Sequence, residues 1–241
     1  MPLQFLPLYS KMRRFWFNIW VYFVVRRNHK KNPYDIFHLH GDFVEAYLDG
    51  KLSKNLKIPA VLTIHAGLNK RLLKLKNAVY FKNIKKIICV SEEIKNDLID
   101  INVPENKLVV ISSGIYLSEF EKAEKNKKNE IIALRNQYSQ PIIISIGVLR
   151  PMKGFGYLIE AFKIVKEKFN SATLIIIGDG PGKADLKKQS EIINGIHFLG
   201  RQDNDKVIEY LKAADIFALA SIFAEGDREG TPNTIMEAMA A

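Results

Sequence analysis

Two glutamates near the end of the chain have the spacing of a ligand-binding pair. Glu229 and Glu237 are eight positions apart, which corresponds to about 12 Å along an α-helix. Carboxylates placed in this way can accept hydrogen bonds from hydroxyl groups on two sugar rings of one extended ligand. They follow a predicted strand, at the sheet edge where α/β proteins bind ligands. The spacing alone fits equally well with two surface glutamates on a capped helix.

The residues between the two glutamates predict a turn followed by a helix start. Gly230 and Pro232 favour the turn, and Asn233 or Thr234 is expected to cap the helix. The N–H groups at the start of such a helix suit an anion. This stretch therefore suits an anionic ligand.

A second stretch combines two cations with a helix start. A predicted strand ends at Gly147, Arg150 and Lys153 follow in the loop, and a helix begins near Gly154. Cations beside a helix N-terminus can bind a diphosphate, because the helix dipole reinforces both charges. The same residues also fit a solvated basic loop that binds nothing.

A third stretch is the glycine-rich turn Gly178-Asp179-Gly180-Pro181-Gly182. It departs from the dinucleotide pattern G-x-G-x-x-G, because the third glycine is misplaced and Pro181 intrudes. A nucleotide-binding oxidoreductase is therefore disfavoured. The run Asp203-Asn204-Asp205 has the form of a D-x-D metal motif, but we interpret it as a helix cap.

Histidines lie at the ends of two predicted strands in the first half of the chain. His65 follows one of them, and His38 and His40 lie on one face of the strand before it. Three histidines suggest zinc, but no fourth ligand has suitable spacing and Cys89 is remote in sequence. We therefore reject a zinc site.

The run E-G-T-P-N-T-I-M-E-A-M-A, which begins at Glu229, resembles the signature of glycosyltransferase family 4, the retaining enzymes of the GT-B fold. The preceding residues are similar to those of members that build bacterial exopolysaccharide and lipopolysaccharide. The resemblance extends from about residue 33 to the end, through several motifs in the right order. It implies a hexosyltransferase.

The resemblance also implies roles for individual residues. His65 and Glu229 become the expected catalytic residues, which face the donor sugar, and Glu237 is expected to hold the ribose hydroxyls. A G-D-G-P turn and the end of the following strand line the nucleotide pocket in the family. The expected donor-binding residues are Arg150, Lys153, Gly178, Asp179, Gly180, Arg201, Glu229, Gly230, Thr231, Pro232, Asn233 and Glu237.

The basic loop departs from the family pattern G-R-x-x-x-x-K-G. Val148 stands where the arginine is usual, whereas Lys153 matches the pattern. Arg150 is a candidate substitute, although its side chain leaves the strand end in a different direction. The resemblance implies a UDP-, GDP- or ADP-sugar donor, a lipid-linked or glycan acceptor, and neither a metal nor another cofactor.

Short apolar runs alternate with amphipathic helical patterns from residue 35 onward. Most of these runs are rich in Val and Ile and lack polar alternation, as in parallel strands covered on both faces. This pattern predicts a doubly wound α/β fold, which the resemblance specifies as GT-B, with two Rossmann-like domains facing across a cleft. The predicted strands are Asp35–Leu39, Ala60–Ile64, Lys86–Val90, Leu108–Ile111, Ile142–Ile146, Thr173–Ile177, Ile196–Leu199 and Asp215–Leu219.

A polar, charge-rich segment interrupts the alternation at residues 119–140. We interpret it as the connection between an N-terminal acceptor-side domain, residues 1–118, and a C-terminal nucleotide-sugar domain, residues 141–241. Both domains look incomplete, so we expect a truncated protein that binds the donor at best. The alternative is a non-catalytic fragment that folds or binds a nucleotide without turnover.

The net charge of +10 is concentrated at the N-terminus. Residues 1–31 contain seven basic and no acidic side chains, which leaves +10 − 7 = +3 for the rest. This distribution argues against nucleic acid as a partner. The apolar run Phe15–Val25, flanked by arginine pairs, is either a core helix of the first domain or an interfacial helix. In the second case residues 11–31 contact an anionic membrane surface, and the expected location is the cytoplasm, with peripheral contact at the inner face of the membrane.

Overall fold

A computed structural model of the chain describes residues 7–65, 78–222 and 232–241. The chain divides into two compact units, Met1–Ser112 and Ser113–Ala241. Each unit contains a four-stranded sheet whose paired strands are all parallel. The α/β class predicted from the apolar runs is confirmed.

The first unit has the strand order β1-β2-β3-β4. Its strands are β1 (Phe37–His40), β2 (Ala60–Ile64), β3 (Lys86–Cys89) and β4 (Leu108–Val110). Its helices are α1 (Pro7–Lys31), α2 (Phe43–Leu56) and α3 (Glu92–Asp100), with short 3-10 helices at Ala78–Phe81 and Glu105–Lys107.

Burial explains the apolar strands of this unit. Leu62 and Ile64 of β2 and Ile87 of β3 are buried in one cluster with side chains of the surrounding helices. Helix α3 joins that cluster through Ile94 and Leu98, which are four positions apart on one helix face. The unit therefore positions the carboxyl ends of its strands on a rigid core.

The second unit has the strand order β7-β6-β5-β8. Its strands are β5 (Ile142–Ile146), β6 (Thr173–Ile177), β7 (Ile196–Gly200) and β8 (Ile216–Phe217). Its helices are α4 (Leu117–Asn126), α5 (Lys128–Asn136), α6 (Phe155–Lys168), α7 (Lys183–Ser190), α8 (Asn204–Ala213) and α9 (Asn233–Ala240), with a 3-10 helix at Pro151–Lys153.

Both faces of the second sheet are covered by helices. Along β5, Ile142 and Ile144 pack with residues of α8, whereas Ile143 packs with residues of α6. Because successive side chains of a strand point to opposite faces, a strand covered on both sides has an unbroken apolar sequence. All eight predicted strands are confirmed, with ends that differ by at most two residues.

The order of the second sheet reverses beside β5. The chain passes from β5 to β6 and β7 in one direction, and β8 then pairs with the other side of β5. In open α/β sheets, ligands bind in the crevice outside the carboxyl ends of the strands at such a reversal. The loops that follow β5 and β8 therefore border the expected ligand crevice of this unit.

The segment 119–140 differs from the connection expected from the sequence. It contains most of α4 and all of α5, and both helices pack on α8 within the second unit. Each has one buried apolar side chain, Phe120 in α4 and Leu134 in α5. Because so few positions of these helices are buried, charged residues dominate their sequences.

Candidate functional site

The loop after β5 is anchored by one buried side chain. Leu149 has no exposed surface. Its backbone N–H donates to Asp179 O at 3.0 Å, and its carbonyl accepts from Gly182 N at 2.9 Å. The basic loop is therefore fastened to the glycine-rich turn that follows β6.

The glycine-rich turn is shaped by this close approach. Gly178 has φ +138°, and a Cβ there would lie 1.9 Å from the carbonyl oxygen of Gly147. A Cβ at Gly180 would lie 2.7 Å from the backbone N and O atoms of Leu149. Because no side chain fits between the two loops, both glycines have a packing reason that is independent of any nucleotide.

The loop after β8 is joined to the other end of the basic loop. Ile222 N donates to Met152 O at 2.8 Å. Gly154 has φ +66°, and a Cβ on it would lie 1.7 Å from the carbonyl oxygen of Ala220. Backbone contacts therefore hold the loops after β5, β6 and β8 together at the carboxyl edge of the sheet.

Lys153 and Arg150 differ in their environments. The Lys153 side chain is partly buried and passes over Gly147, and burial lowers its pKa from the ordinary lysine value. Arg150 is exposed and precedes the 3-10 helix. Val148, at the position where the family has arginine, is half exposed. Lys153 is thus the cation that the fold holds against the end of β5.

Helix α9 carries the second glutamate of the sequence pair. It begins at Asn233, with Pro232 at the N-cap and no side-chain cap. The expectation that Asn233 or Thr234 caps the helix is wrong, because both lie in its first turn. Glu237 is partly buried, and burial raises the pKa of its carboxyl group. The Thr234 hydroxyl is buried without a hydrogen-bond partner among the described residues.

Asp179 and Arg201 also lie at this edge of the sheet. Asp179 accepts hydrogen bonds from Lys183 Nζ at 2.6 Å and from Gly180 N at 2.8 Å. The Lys183 hydrogen bond, followed by the Gly180 hydrogen bond, lowers the pKa of Asp179. Arg201 is exposed and follows β7 directly. Asp179 has a local structural partner, whereas Arg201 projects from the edge.

Three histidines of the first unit, His38, His40 and His65, lie together at the carboxyl ends of β1 and β2. His40 Nδ1 and His65 Nε2 are 2.7 Å apart, and His38 Nε2 lies 2.8 Å from Thr63 Oγ1. Burial, and then the charges of His40 and His38, lower the pKa of His65. The sequence placed these residues on neighbouring strand ends, but it did not reveal the hydrogen bond between two rings.

Three expected site residues, Glu229, Gly230 and Thr231, lie outside the described residues. Within the described ranges, no group of three or more His, Cys, Asp or Glu side chains is arranged to hold a metal ion. Over the same ranges, no helix combines the length and the apolar character needed to cross a membrane.

Two family sequence profiles match successive halves of the chain. The profile described as Glycosyltransferase Family 4 matches residues 3–119, and the one described as Glycosyl transferases group 1 matches residues 126–241. The boundary between the matches lies close to the division between the two structural units.

Curated relatives support the same assignment. The chain is 31% identical over 229 residues to the amylovoran biosynthesis glycosyltransferase AmsK of Erwinia amylovora, covering 90% of this chain and 54% of that protein. It is 29% identical over 230 residues to an alpha-monoglucosyldiacylglycerol synthase of Streptococcus pneumoniae, covering 84% of this chain and 52% of that protein. The chain thus spans about half the length of these relatives.

Solved structures share the architecture. HepE of Anabaena, in complex with UDP and glucose, matches with a TM-score of 0.69 at 21% identity, over 90% of this chain and 59% of that one. A UDP-forming alpha,alpha-trehalose-phosphate synthase from Burkholderia xenovorans matches with a TM-score of 0.76 at 14% identity. This match covers 92% of this chain and 60% of that one. These likenesses confirm the predicted GT-B fold class.

Proposed function

Because this chain belongs to glycosyltransferase family 4, we propose that it binds a nucleoside-diphosphate sugar and transfers the sugar to a lipid-linked or glycan acceptor in bacterial cell-surface glycan synthesis, with retention of configuration. The observation that carries the proposal is the position of Lys153 and Glu237. Lys153 lies in the loop after β5, and Glu237 lies in the helix that follows β8. These elements flank the reversal of strand order.

Lys153 is proposed to bind the diphosphate. Burial lowers its pKa, because it removes water from around the charged form. A diphosphate beside the ammonium group supplies a compensating charge and stabilises the charged form. The same contact stabilises the negative charge that develops on the leaving group during transfer.

Glu237 is proposed to accept hydrogen bonds from the ribose hydroxyls. Its pKa is raised by burial, so the carboxylate also lacks part of its solvation. Two hydroxyl donors on one ribose match the two oxygens of a carboxylate. This contact predicts that the nucleotide alone, without a sugar, is sensitive to Glu237.

His65 and Glu229 are proposed to orient the transferred sugar. The bond between the sugar anomeric carbon and the phosphate oxygen breaks, and a bond from that carbon to the acceptor oxygen forms on the same face. The acceptor proton passes to an oxygen of the departing phosphate. The amylovoran biosynthesis glycosyltransferase and the alpha-monoglucosyldiacylglycerol synthase among the relatives support the two acceptor classes of the proposal, a glycan and a lipid.

A donor screen tests the proposed function. The chain is heated with UDP-, GDP- or ADP-glucose, and with glucose alone as the control. We expect one nucleotide sugar to raise the unfolding temperature, because a ligand that binds only the folded state stabilises it by mass action. The absence of stabilisation by all three nucleotide sugars, each at millimolar concentration, would contradict the proposal.

We also propose that α1 contacts an anionic membrane surface. Trp16, Phe17, Trp20 and Phe23 are each about three fifths exposed, with values of 63, 58, 61 and 62%. Their spacing places them on one stripe of the helix. The opposite side faces α2, where Tyr22 accepts a hydrogen bond from Asn55 Nδ2 at 3.0 Å. An aromatic stripe can therefore enter the headgroup region while α1 stays attached to the unit.

The charge of α1 complements such a surface. Its first turn contains no acid, its last turn contains His29, Lys30 and Lys31, and residues 1–31 contain no acidic side chain. Basic residues are attracted to anionic headgroups with about 1 kcal/mol each near the surface. Charge and aromatic exposure thus favour the same partner.

Tryptophan fluorescence tests this contact directly, because Trp16 and Trp20 are the two tryptophans of the chain. We expect a blue shift with vesicles of phosphatidylglycerol and phosphatidylcholine, and its reversal at high salt. The charge reversals Arg26→Glu and Arg27→Glu should weaken the shift. An equal shift with purely neutral vesicles, or none with anionic ones, would contradict the proposed contact.

A further inference from the structure

Two imidazole rings at the carboxyl edge of the first sheet are hydrogen-bonded to each other. His40 Nδ1 lies 2.7 Å from His65 Nε2, and the ring planes differ by 15°. A hydrogen bond between two ring nitrogens needs one N–H group and one lone pair. The contact therefore engages Nδ1 of His40 and Nε2 of His65, one as the donor and the other as the acceptor.

The backbone determines this contact. His40 is paired with Thr63 in the parallel register of β1 and β2, and Gly41 N donates to Thr63 O at 3.1 Å, which extends the pairing beyond β1. Phe37 and Leu39, which alternate with the histidines of β1, pack against the core. The strand pairing therefore fixes the backbone of His40 next to His65, the residue that follows β2.

His38 lies beside the His40 ring and is hydrogen-bonded to β2. Its Nε2 is bonded to Thr63 Oγ1, and its ring centroid lies 4.6 Å from that of His40. His38 thus supports the His40 ring, but its own hydrogen bond does not reach His65. This difference separates the roles of two histidines that share a strand face.

We propose that His40 is a positioning residue for His65: it occupies Nε2 of His65, so that the ring presents Nδ1 to the donor. This inference rests on the proposed function, in which His65 orients the transferred sugar. Without His40, the His65 ring can rotate and exchange between tautomers. A histidine commonly depends on the partner of one ring nitrogen to orient the other.

The groups around His65 favour its neutral form. Besides burial, the charges that act on it are those of His40 and His38 from β1, and both lower its pKa. Thr63, the nearest polar residue of β2, carries no charge. A neutral ring whose Nε2 is held by His40 can make a defined hydrogen bond through Nδ1 to a sugar hydroxyl or a phosphate oxygen.

Histidine side-chain NMR tests the pairing without any ligand. Long-range proton–nitrogen spectra of the chain, with His65→Ala used for assignment, should show His65 as one tautomer with a pKa below the ordinary value of about 6.5. His40→Ala should produce a tautomer mixture and raise that pKa. The matched control His38→Ala, on the same strand face, should preserve the tautomer. An unchanged His65 signal in His40→Ala would overturn the proposal.

Calorimetric titration with UDP-glucose and UDP tests the consequence for the donor. Because a misplaced His65 ring loses one hydrogen bond to the sugar, we expect His40→Ala to weaken UDP-glucose binding by about tenfold and to leave UDP binding unchanged. His40→Asn, which retains a donor and an acceptor, should recover part of the loss. The double variant His40→Ala/His65→Ala should bind like His65→Ala alone.

The outcomes separate this inference from the proposed function. Equal losses in His38→Ala and His40→Ala, or fully additive losses in the double variant, would overturn the positioning role. If the wild-type chain binds neither UDP-glucose nor UDP, this donor assignment fails. The NMR spectra then still decide whether His40 fixes His65.

Discussion

Two sets of charged residues in the second unit differ in whether the folded protein favours their charged or their neutral form. On the helical side, Glu209 has 3% exposure and accepts hydrogen bonds from Lys127 Nζ at 2.7 Å and Lys206 Nζ at 2.5 Å. Burial alone would raise the pKa of Glu209, but the two lysines outweigh it and lower the pKa. At the carboxyl edge of the sheet, burial lowers the pKa of Lys153 and raises that of Glu237.

The difference separates a carboxylate whose charged form is stabilised by hydrogen bonds within the fold from two groups whose charged forms are disfavoured by burial. Hydrogen bonds within the fold favour the ionised form of Glu209. The shifts of Lys153 and Glu237 favour their neutral forms, so keeping both charged at neutral pH costs stability. Residues that cost stability in this way are characteristic of binding sites. We therefore expect substitutions in the two sets to have opposite effects on stability and binding.

The largest expected effect is on nucleotide binding by Lys153→Met. Losing a hydrogen bond to a charged group costs about 1.5 to 3 kcal/mol, which corresponds to about 10- to 100-fold in the dissociation constant of UDP. The matched control is Lys163→Met, at an exposed position of α6. Equal affinities of the two variants in calorimetric titration would remove Lys153 from the site. Arg150→Ala should have a smaller effect than Lys153→Met.

The second largest effect is expected for Glu209→Gln, which should lower the free energy of unfolding. Because Lys127 and Lys206 keep 40 and 45% of their side-chain surface exposed, they regain water when the carboxylate is lost. We expect a loss of about 2 kcal/mol in the free energy of unfolding, from the missing charge-assisted hydrogen bonds. Urea unfolding measures it, with the exposed Glu121→Gln as control. A loss no larger than that of the control would show that the network adds no stability.

A smaller effect is expected for Glu237→Gln. The amide keeps the shape of the side chain but removes a charge that burial disfavours, so the unfolding free energy should stay the same or rise by less than about 1 kcal/mol. UDP binding should weaken, because the amide replaces one acceptor oxygen of the carboxylate with an NH₂ donor and removes the charge. A clear loss of stability together with unchanged UDP affinity would assign Glu237 a structural role.

Glu209 and Glu237 should change the stability in opposite directions as the pH rises. The pKa of Glu209 is lowered on folding, so its contribution is present above the ordinary value of about 4.5 and is lost as the pH falls through the folded value. The pKa of Glu237 is raised, so its ionisation reduces stability as the pH rises from about 4.5 through the folded value. Glu209→Gln should abolish the first slope, and Glu237→Gln the second. Slopes that survive these substitutions would contradict the assignments.

The sequence was sufficient for the elements that are buried on both faces. The five residues of β5 and the five of β6 are all buried, and their predicted bounds match the observed ones. The prediction was poorer for elements whose extent or existence depends on tertiary contacts. β8 was expected over five residues but pairs over only two, Ile216 and Phe217. Helix α4 was not recognised, because it buries only Phe120 fully.

For the candidate site, the sequence indicated residue types at strand ends, but it did not indicate the contacts between them. The backbone contact that requires glycine at 178 depends on a carbonyl of another loop, that of Gly147. The ring-to-ring bond of His40 and His65 depends on the register of two strands. Such contacts follow from packing, which a motif in one segment of sequence does not encode.

Thermal unfolding with and without UDP tests the central claim most directly, with GDP and ADP measured in parallel. The wild-type chain is compared with a double variant, Lys153→Met/Glu237→Gln. We predict that the double variant is at least as stable as wild type without nucleotide, and that it loses the stabilisation that the nucleotide gives to wild type. A double variant that is less stable on its own, yet is stabilised by nucleotide as much as wild type, would contradict the account.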